Sequence, residues 1–335
     1  MTLRIGPVAL ANAVLVAPMS GVSDLPFRRA ASRFGAGAVV SEMVACEELA
    51  RARPDMVRRA AGDAAARPFI MQLAGREPRW MAAGARLAEK AGADVVDINM
   101  GCPARQVTGV LSGSALMRDL DHAASLITAT VQATALPVTL KMRLGWDRDS
   151  LNAPELAARA EEAGVALVTV HARTRNQFYK GRADWGAVRA TRRATSLPLI
   201  VNGDVVDART AREALSASGA DGVMIGRAAV GRPWLPGAVA RALQAGGPER
   251  APSEADQKRA LVEHYQETLA HYGTTLGVRV ARKHLAAAID AAPAGVGPAD
   301  RRRVRASVCR LNDPLAVLSA IEAFFAERRP DPIAA

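Results

Sequence analysis

The stretch EPRWMAAGARLAEKAGADVVDIN, residues 77–99, joins two patterns of different period. Its first part is alanine-rich with apolar residues at helical spacing, and Gly92 stands where helices commonly end. Its last part is a short apolar run with polar residues on either side, which is typical of a buried strand. The stretch therefore predicts one helix followed by one strand.

The same alternation recurs over residues 1–243. Eight short apolar runs are separated by segments of helical spacing, and they cover residues 14–18, 38–42, 68–73, 94–99, 137–143, 166–171, 198–202 and 221–226. Eight alternating units predict a TIM (β/α)8 barrel over residues 1–243. A doubly wound sheet is disfavoured, because APMSGVSD (17–24) follows the first strand where a dinucleotide-binding sheet would carry GxGxxG.

After the barrel, QAGGPERAPSE (244–254) has the composition of a linker. Only helical spacing follows it, so residues 251–330 are predicted to form a small all-α domain.

Composition excludes several classes of protein. The chain has 335 residues, of which 50% are hydrophobic, but no apolar run approaches the roughly 20 residues needed to cross a bilayer. The start, MTLRIGPVAL, lacks the layout of a cleavable signal peptide. We therefore expect a soluble, cytoplasmic protein without membrane contact, and we expect it to be monomeric.

Charge and cysteine content narrow the class further. The 44 Lys and Arg residues exceed the 33 Asp and Glu residues by 11, mostly through arginine, which makes a polyanionic partner a reasonable hypothesis. Cys46, Cys102 and Cys309 are odd in number and far apart, so neither a disulfide framework nor a metal site is expected. Each cysteine has to be interpreted by itself.

Polar residues collect where the predicted strands end, which is where barrel enzymes build their sites. Together with the Pro, Met and Gly residues beside them, the candidates in chain order are Pro18, Met19, Ser20, Gln72, Asn99, Cys102, Lys141, Arg143, His171, Arg173, Asn202, Gly203, Asp204, Gly226 and Arg227. Glycine turns follow the seventh and eighth strands, and each is expected to open a helix whose N–H groups face a phosphate, with Arg227 as counter-charge. A phosphorylated ligand is therefore expected.

A purely structural role is open to each of these residues when it is taken alone. Gln72 and Asn99 would satisfy backbone groups, Lys141 would form a structural ion pair, and His171 would be a core histidine. Cys46 and Cys309 are most simply packing residues. The convergence of several strands on one rim favours a functional site over these separate explanations.

Ten motifs, taken in order, resemble the tRNA-dihydrouridine synthases, and most of all the bacterial DusB-type branch. They are APMSGVSDLPFR, SEMV, MQLAG, DINMGCPA, LSGSALMRD, VTLKMRLGW, HARTR, FYKGRADW, NGDV and MIGRAAVGRPW. The resemblance covers roughly residues 5–240 and extends only loosely to the helical tail. It implies an FMN-binding barrel, a helical domain that holds tRNA, and reduction of the C5=C6 bond of uridines by NADPH (or NADH) through the flavin.

The resemblance also implies roles for particular residues. Pro18, Met19 and Ser20 match the segment beneath the flavin ring, Gln72, Lys141 and His171 its polar contacts, and 202–204 with Gly226 and Arg227 the phosphate site. Cys102 matches the catalytic cysteine, a thiol that is still largely protonated at neutral pH and can protonate C5 as a general acid.

The substrate side is expected to involve Asn99, Arg143 and Arg173, since an extruded uridine needs a basic surface that holds the RNA. Arg175 at the rim and Arg301, Arg302, Arg303 and Arg305 on the tail are further candidates, although a solvated face explains the tail cluster equally well. Two other functions stay open. One is a dihydroorotate or dihydropyrimidine dehydrogenase acting on a free pyrimidine, and the other is an RNA-binding protein on a barrel without activity.

Overall fold

The structure, a computed structural model, describes residues 3–104, 109, 112–292 and 297–326. In chain order its strands are β1 (Arg4–Ile5), β2 (Val8–Ala9), β3 (Val14–Val16), β4 (Ala38–Val40), β5 (Val44–Ala45), β6 (Phe69–Ala74), β7 (Val95–Met100), β8 (Val138–Arg143), β9 (Leu167–His171), β10 (Leu199–Asn202) and β11 (Gly222–Ile225).

Strands β3, β4 and β6 to β11 form a closed barrel. Each pairs in parallel with the next along the chain, and β11 pairs back onto β3, so the sheet has no free edge there. The eight predicted strands are thereby confirmed, as is the TIM barrel. The short β5 adds a second parallel partner to β6, and β1 and β2 form an antiparallel hairpin; neither feature was predicted.

The helices alternate with the barrel strands and then continue without strands. They are α1 (Leu25–Arg33), α2 (Cys46–Ala50), α3 (Pro54–Arg59), α4 (Pro78–Lys90), α5 (Leu120–Val131), α6 (Ala153–Glu162), α7 (Val188–Ala194), α8 (Ala208–Ser218), α9 (Leu235–Ala245), α10 (Glu254–Tyr272), α11 (Thr274–Asp290), α12 (Pro298–Val308) and α13 (Pro314–Ala326). Short 3-10 segments lie at Gly113–Arg118 and Arg227–Ala229.

Two apolar layers hold the barrel together. The larger lies between the strands and the helices, where alanines of α4 and α6 pack closely against strand residues such as Val96 and Leu140. The smaller fills the barrel interior, where Leu3, Ile5 and Leu10 from the hairpin region pack against strand residues. Gly6 lies against Pro137 and Ala166, just before β8 and β9, so the hairpin closes the amino end of the barrel. The carboxyl end is left for the site.

Helices α10 to α13 form a separate bundle around Leu261, Val278, Leu285, Val317 and Ile321. The last barrel helix ends at Ala245 and the bundle begins at Glu254, close to the predicted limits of 243 and 251. The domain limits themselves remain a prediction. No described helix is long and apolar enough to cross a bilayer.

The bundle contacts the barrel through α1 and the loop after β3. Phe27 of α1 stacks on His284 with ring centroids 5.4 Å apart. The Tyr272 hydroxyl donates to Asp24 at 3.1 Å, and Lys283 donates to the carbonyl oxygen of Gly21. The bundle is therefore attached beside a loop that follows the first barrel strand.

Candidate active site

A cavity of about 780 Å³ opens at the carboxyl ends of the barrel strands. Its volume is in the range of small-molecule and cofactor sites. Every residue that the sequence placed at a strand end lines it: Pro18, Met19, Ser20, Gln72, Asn99, Cys102, Lys141, Arg143, His171, Arg173, Asn202, Gly203, Asp204, Gly226 and Arg227. The barrel topology thus brings together residues that lie far apart in the chain.

Cys102 is half-buried in the turn that follows β7. The side-chain oxygen of Asn99 accepts hydrogen bonds from the backbone N–H groups of Gly101 and Cys102, at 3.1 and 3.0 Å. On its other side, the Cys102 carbonyl accepts from the backbone N–H and the hydroxyl of Ser114. The thiol is therefore carried by a turn that is fixed at both ends.

Asp97 is a buried carboxylate that sequence reasoning did not assign to the site. It is 4% exposed, and it accepts from the Thr139 hydroxyl at 2.6 Å and from the Gln72 side-chain amide at 2.7 Å. The Gln72 oxygen in turn accepts from the Asn99 amide at 2.8 Å. Burial raises the pKa of Asp97, while these hydrogen bonds and the charge of Lys141 act against burial. The available signal was a carboxylate inside the apolar run DVVDIN.

Lys141 places a buried ammonium group at the cavity. Its side chain donates to Asn202 at 3.1 Å, and Asn202 is held in turn by a bond to the Met224 carbonyl. Burial lowers the pKa of Lys141, and so does the nearby charge of Arg143, whereas Asp97 acts in the opposite direction. Within the described chain one acceptor is recorded for its three N–H groups, so the ammonium retains donors for a ligand.

Arg143 and Arg173 lie deeper than predicted. They are 1% and 2% exposed. Arg143 donates to the carbonyl oxygens of Gly101, Thr174 and Phe178, at 2.7 to 2.9 Å. Burial lowers the pKa of Arg143 to about 10. Arg173 forms an ion pair with Asp204 at 2.6 Å. Both line the cavity, but each is buried against backbone carbonyls or a carboxylate, and their contact with RNA stays a prediction.

His171 lies at the end of β9 and is 8% exposed. Burial lowers its pKa well below the ordinary value, and the charges of Arg143, Lys141 and Arg173 add to the effect. The imidazole is therefore neutral at neutral pH. It packs against Gly203, whose φ of +118° is left-handed, and a Cβ there would lie 3.0 Å from the His171 ring. Glycine is thus required for both conformation and space.

The two glycine turns differ from the predicted arrangement in one respect. The N-terminus of α8 does not face the cavity as an open anion site, because Asp207 caps it and Glu249 accepts from its first N–H at 2.9 Å. The turn after β11 opens only the 3-10 segment at Arg227. Asp204 lies 3.5 Å from Arg227 in an ion pair. Partial burial acts to raise the pKa of Asp204, but the Arg173 and Ala183 hydrogen bonds and the charges of Arg173 and Arg227 together outweigh it, so the net shift is downward.

Tyr179 is a second residue that sequence reasoning left without a role. The centroid of its ring lies 5.5 Å from the guanidinium groups of both Arg143 and Arg227, and the residue is 54% exposed at the cavity mouth. Nearby, Arg175 stacks on Trp146 at 4.5 Å. An aromatic residue in the loop motif FYKGRADW was the only signal in the sequence.

The arginines of the tail divide into two pairs. Arg301 donates to the backbone carbonyl of Asp290 at 3.1 Å, and Arg305 forms an ion pair with its carboxylate at 3.0 Å. Arg302 is exposed, and Arg303 is exposed with a longer contact to Asp300 at 3.5 Å. Two members of the cluster therefore brace α12 against α11, while the other two project from the surface.

The remaining cysteines lie away from the cavity. Cys46 is fully buried against Met81, and burial raises its pKa to about 12. Cys309 is half-buried between the tail helices. Both positions fit packing roles. Among residues 3–104, 109, 112–292 and 297–326, no group of His, Cys, Asp and Glu side chains is arranged to hold a metal ion.

The cavity at the carboxyl ends of this closed (β/α)8 barrel is lined by a thiol, a buried ammonium and a neutral imidazole. This combination of fold and site defines the class of protein as a barrel enzyme. Comparison with known proteins narrows the class. A family model described as dihydrouridine synthase (Dus) matches residues 15–318. The chain belongs to the dihydrouridine synthase family, and it is a flavin-dependent oxidoreductase of that family.

Sequence similarity to known relatives extends over nearly the whole chain. A probable tRNA-dihydrouridine synthase of Rhodobacter capsulatus is 50% identical over 329 residues, which is 98% of this chain and 99% of that protein. The tRNA-dihydrouridine synthase B of Pseudomonas putida is 42% identical over 328 residues, which is 97% and 95% of the two chains. The predicted resemblance to the DusB-type branch is confirmed.

Solved structures share the fold at much lower identity. Histamine dehydrogenase from Rhizobium sp. 4-9 gives a TM-score of 0.55 at 14% identity, covering 98% of this chain and 64% of that one. A 6-hydroxypseudooxynicotine amine oxidase from Pseudomonas geniculata gives 0.57 at 14% identity, covering 78% and 52%. At this identity the likeness concerns the barrel fold alone.

Proposed function

We propose that this dihydrouridine synthase reduces the C5=C6 bond of particular uridines in tRNA, with NADPH (or NADH) as reductant, FMN as cofactor and Cys102 as general acid. One observation carries the proposal: the half-buried residue Cys102 and the buried Lys141 line one cavity at the barrel mouth. The relatives, which are named for this reaction on tRNA, supply the substrate class.

The residues of the cavity fit FMN. Lys141 retains N–H donors for an electron-rich ring, and the neutral His171 can share a hydrogen bond without adding charge. Met19 and Ser20 would support the ring, Gln72 and Lys141 would hold its polar edge, and the turns at 202–204 and at Gly226 and Arg227 would hold the phosphate. When bound and reduced by the nicotinamide, FMN supplies the hydride that adds to C6 of the uracil.

Cys102 would then complete the reduction. Hydride addition at C6 places negative charge toward C5, so C5 needs a proton at the same moment. Asn99 and Ser114 hold the turn that carries the thiol, which keeps the proton donor in one place. A positioned general acid contributes a factor of roughly 10² to 10⁴. Lys141 would favour the anionic form of the reduced ring through its charge.

The tRNA must present a single base to this cavity. A uridine in folded RNA has to leave its stack before it can enter, and aromatic or guanidinium planes at the mouth favour an extruded base. Tyr179 and Arg227 are exposed there. The excess of 11 positive charges provides a general attraction for the RNA backbone. We also propose that the protein acts as a monomer in the cytoplasm.

The direct test is to map dihydrouridine in tRNA from a strain that lacks the gene, with and without the protein restored. The expected result is loss of the modification at specific positions and its return with the wild-type chain. Release of the cofactor by acid identifies it as FMN by its absorption and mass. An unchanged dihydrouridine map in the deletion strain, with no other synthase compensating, would exclude the proposed function.

A further inference from the structure

The buried polar groups beneath the cavity form one directed chain of hydrogen bonds. Asp97 accepts from Thr139 and from the Gln72 side-chain nitrogen. The Gln72 oxygen accepts from the Asn99 side-chain nitrogen. The Asn99 oxygen accepts from the backbone N–H groups of Gly101 and Cys102. Four of these bonds run in one direction, from the cysteine turn through Asn99 and Gln72 to the carboxylate, and Thr139 donates to the same carboxylate.

The direction of this chain follows from the chemistry of its ends. A backbone N–H can only donate, and an ionised carboxylate can only accept. A side-chain amide has one oxygen and one nitrogen, so a partner on one side decides what it offers on the other. With a carboxylate at Asp97, Gln72 must turn its side-chain nitrogen toward Asp97 and its side-chain oxygen toward Asn99. Asn99 must then offer its nitrogen to Gln72 and its oxygen to the turn.

We propose that Asp97 is a positioning residue whose carboxylate fixes the orientation of the Gln72 and Asn99 amides, and through them the turn that carries Cys102. Asp97 does not line the cavity, so it reaches the cysteine turn through these two side chains. The assignment rests on the proposed function only for the catalytic use of Cys102, since the hydrogen-bond geometry is a property of the folded chain alone.

The same orientation decides what the cavity offers to a ligand. Each of the two amide nitrogens has a second hydrogen, and the described chain records no acceptor for either. Gln72 and Asn99 both line the cavity, so each has an N–H group that it can offer to a ligand there. A ligand with carbonyl oxygens, such as a pyrimidine-dione ring, fits that pattern.

The experiment exchanges the carboxylate and the amide between positions 97 and 99. In Asn99→Asp, carboxylates lie at both ends of Gln72, and whichever way its amide turns, two acceptors face each other. In the double variant Asp97→Asn with Asn99→Asp, Gln72 turns over: its oxygen accepts from the new amide at 97, and its nitrogen donates to the new carboxylate at 99. Every donor again meets an acceptor.

The measurement is amide hydrogen exchange at Gly101 and Cys102, in the full chain without added flavin or tRNA, at about pH 8, where aspartates are ordinarily ionised. Asn99→Asp is expected to speed exchange roughly tenfold, as loss of one or two net hydrogen bonds would. The double variant is expected to return to within about threefold of the wild-type rate.

A matched control separates orientation from charge. The double variant Asp97→Leu with Asn99→Asp removes the same carboxylate but gives the Gln72 oxygen no donor, so we expect it to stay near the fast rate of Asn99→Asp. If the exchange rate recovered equally in both double variants, the effect of Asn99→Asp would come from charge repulsion alone and not from amide orientation. Unchanged exchange in Asn99→Asp would also overturn the proposal, as would failure of the carboxylate–amide swap to fold or to recover. The absence of flavin and RNA keeps each outcome separate from the proposed function.

Discussion

The cavity and the junction between barrel and bundle both bury polar side chains, but the two regions differ in whether those side chains have hydrogen-bond partners. Beneath the cavity, Asp97, Gln72 and Asn99 form an unbroken chain of hydrogen bonds. At the junction, His264 and His284 contact each other and Phe27 through their rings, yet Nε2 of His264 and both ring nitrogens of His284 have no partner within the described chain. The cavity orients its polar groups, while the junction only keeps them neutral.

The difference shows how two kinds of burial are stabilised. A buried polar group with a partner costs little, and one without a partner loses its hydration without replacement. Burial lowers the pKa of His264 to about 4, and it lowers the pKa of His284 well below the ordinary value. The two histidines should therefore make the junction lose stability as the pH falls, and the buried His171 of the cavity contributes in the same direction.

The largest effect is expected at Cys102. Cys102→Ala should still accept electrons from NADPH, because the thiol is needed only for protonation at C5, while dihydrouridine formation falls about 10²-fold or more. Stopped-flow measurement of the two half-reactions separates these steps. Cys309→Ala is the matched control, since that half-buried thiol lies in the bundle, and it should turn over tRNA normally. Normal tRNA turnover by Cys102→Ala would show that another group donates the proton.

A smaller effect is expected for Lys141→Met, which keeps the length of the side chain without its charge. Loss of a charge-assisted hydrogen bond in a buried site should weaken FMN binding roughly 10- to 100-fold. Titration of flavin fluorescence measures the dissociation constant, and circular dichroism checks that the barrel stays folded. FMN affinity equal to that of the wild-type chain would remove Lys141 from the flavin site.

At the junction, acid is expected to destabilise the protein through His264. Because its folded pKa lies below the ordinary 6.5, the unfolded chain takes up the proton first as the pH falls. The free energy of unfolding should therefore decline below about pH 6.5, by about 2 kcal/mol for this one histidine at pH 5.

His264→Phe keeps a ring at the junction and removes the titration. Urea unfolding at several pH values should show a flatter decline between pH 6.5 and 5 in this variant than in the wild-type chain. His122→Phe is the control, because that histidine lies on the far side of the barrel and hydrogen-bonds the Arg76 carbonyl at its surface. Identical pH profiles for wild type and His264→Phe would contradict this account of the junction.

The smallest effect is expected on the bundle surface. Arg302 and Arg303 are exposed, so their joint replacement by Gln should flatten the plot of log tRNA affinity against log salt by about one to two units. The control is Arg301 with Arg305, which contact Asp290 and should affect stability of the bundle more than the salt slope. If replacing Arg302 and Arg303 left the slope of log affinity against log salt unchanged, these two arginines would belong to a solvated face.

The sequence predicted the barrel and the membership of the site because both follow from repeating signals. Apolar runs of strand length marked each strand, and polar residues such as Gln72 and Lys141 stood directly at the strand ends. Periodicity does not, however, give burial depth, which is why Arg143 was expected on the rim and is found beneath it. An arginine at a strand end looks the same whether its partner is RNA or a backbone carbonyl.

The residues that were missed depend on partners distant in the chain. Asp97 acquires its role from Thr139 on the next strand, and Tyr179 from its contacts with Arg143 and Arg227. His264 and His284 meet Phe27 only because α10 and α11 pack on α1. The capping of α8 by Asp207 and Glu249 shows the same limit, since Glu249 lies in the predicted linker. Pairings of this kind appear only in three dimensions.

The most direct test of the central claim uses purified protein with FMN and NADPH, and an unmodified tRNA transcript beside free uracil and orotate. The account predicts that specific uridines of the transcript gain the mass of two hydrogen atoms, that Cys102→Ala fails to produce this gain, and that neither free pyrimidine is reduced. Reduction of the free pyrimidine, with the transcript unchanged, would contradict the account and favour a dehydrogenase acting on a small molecule.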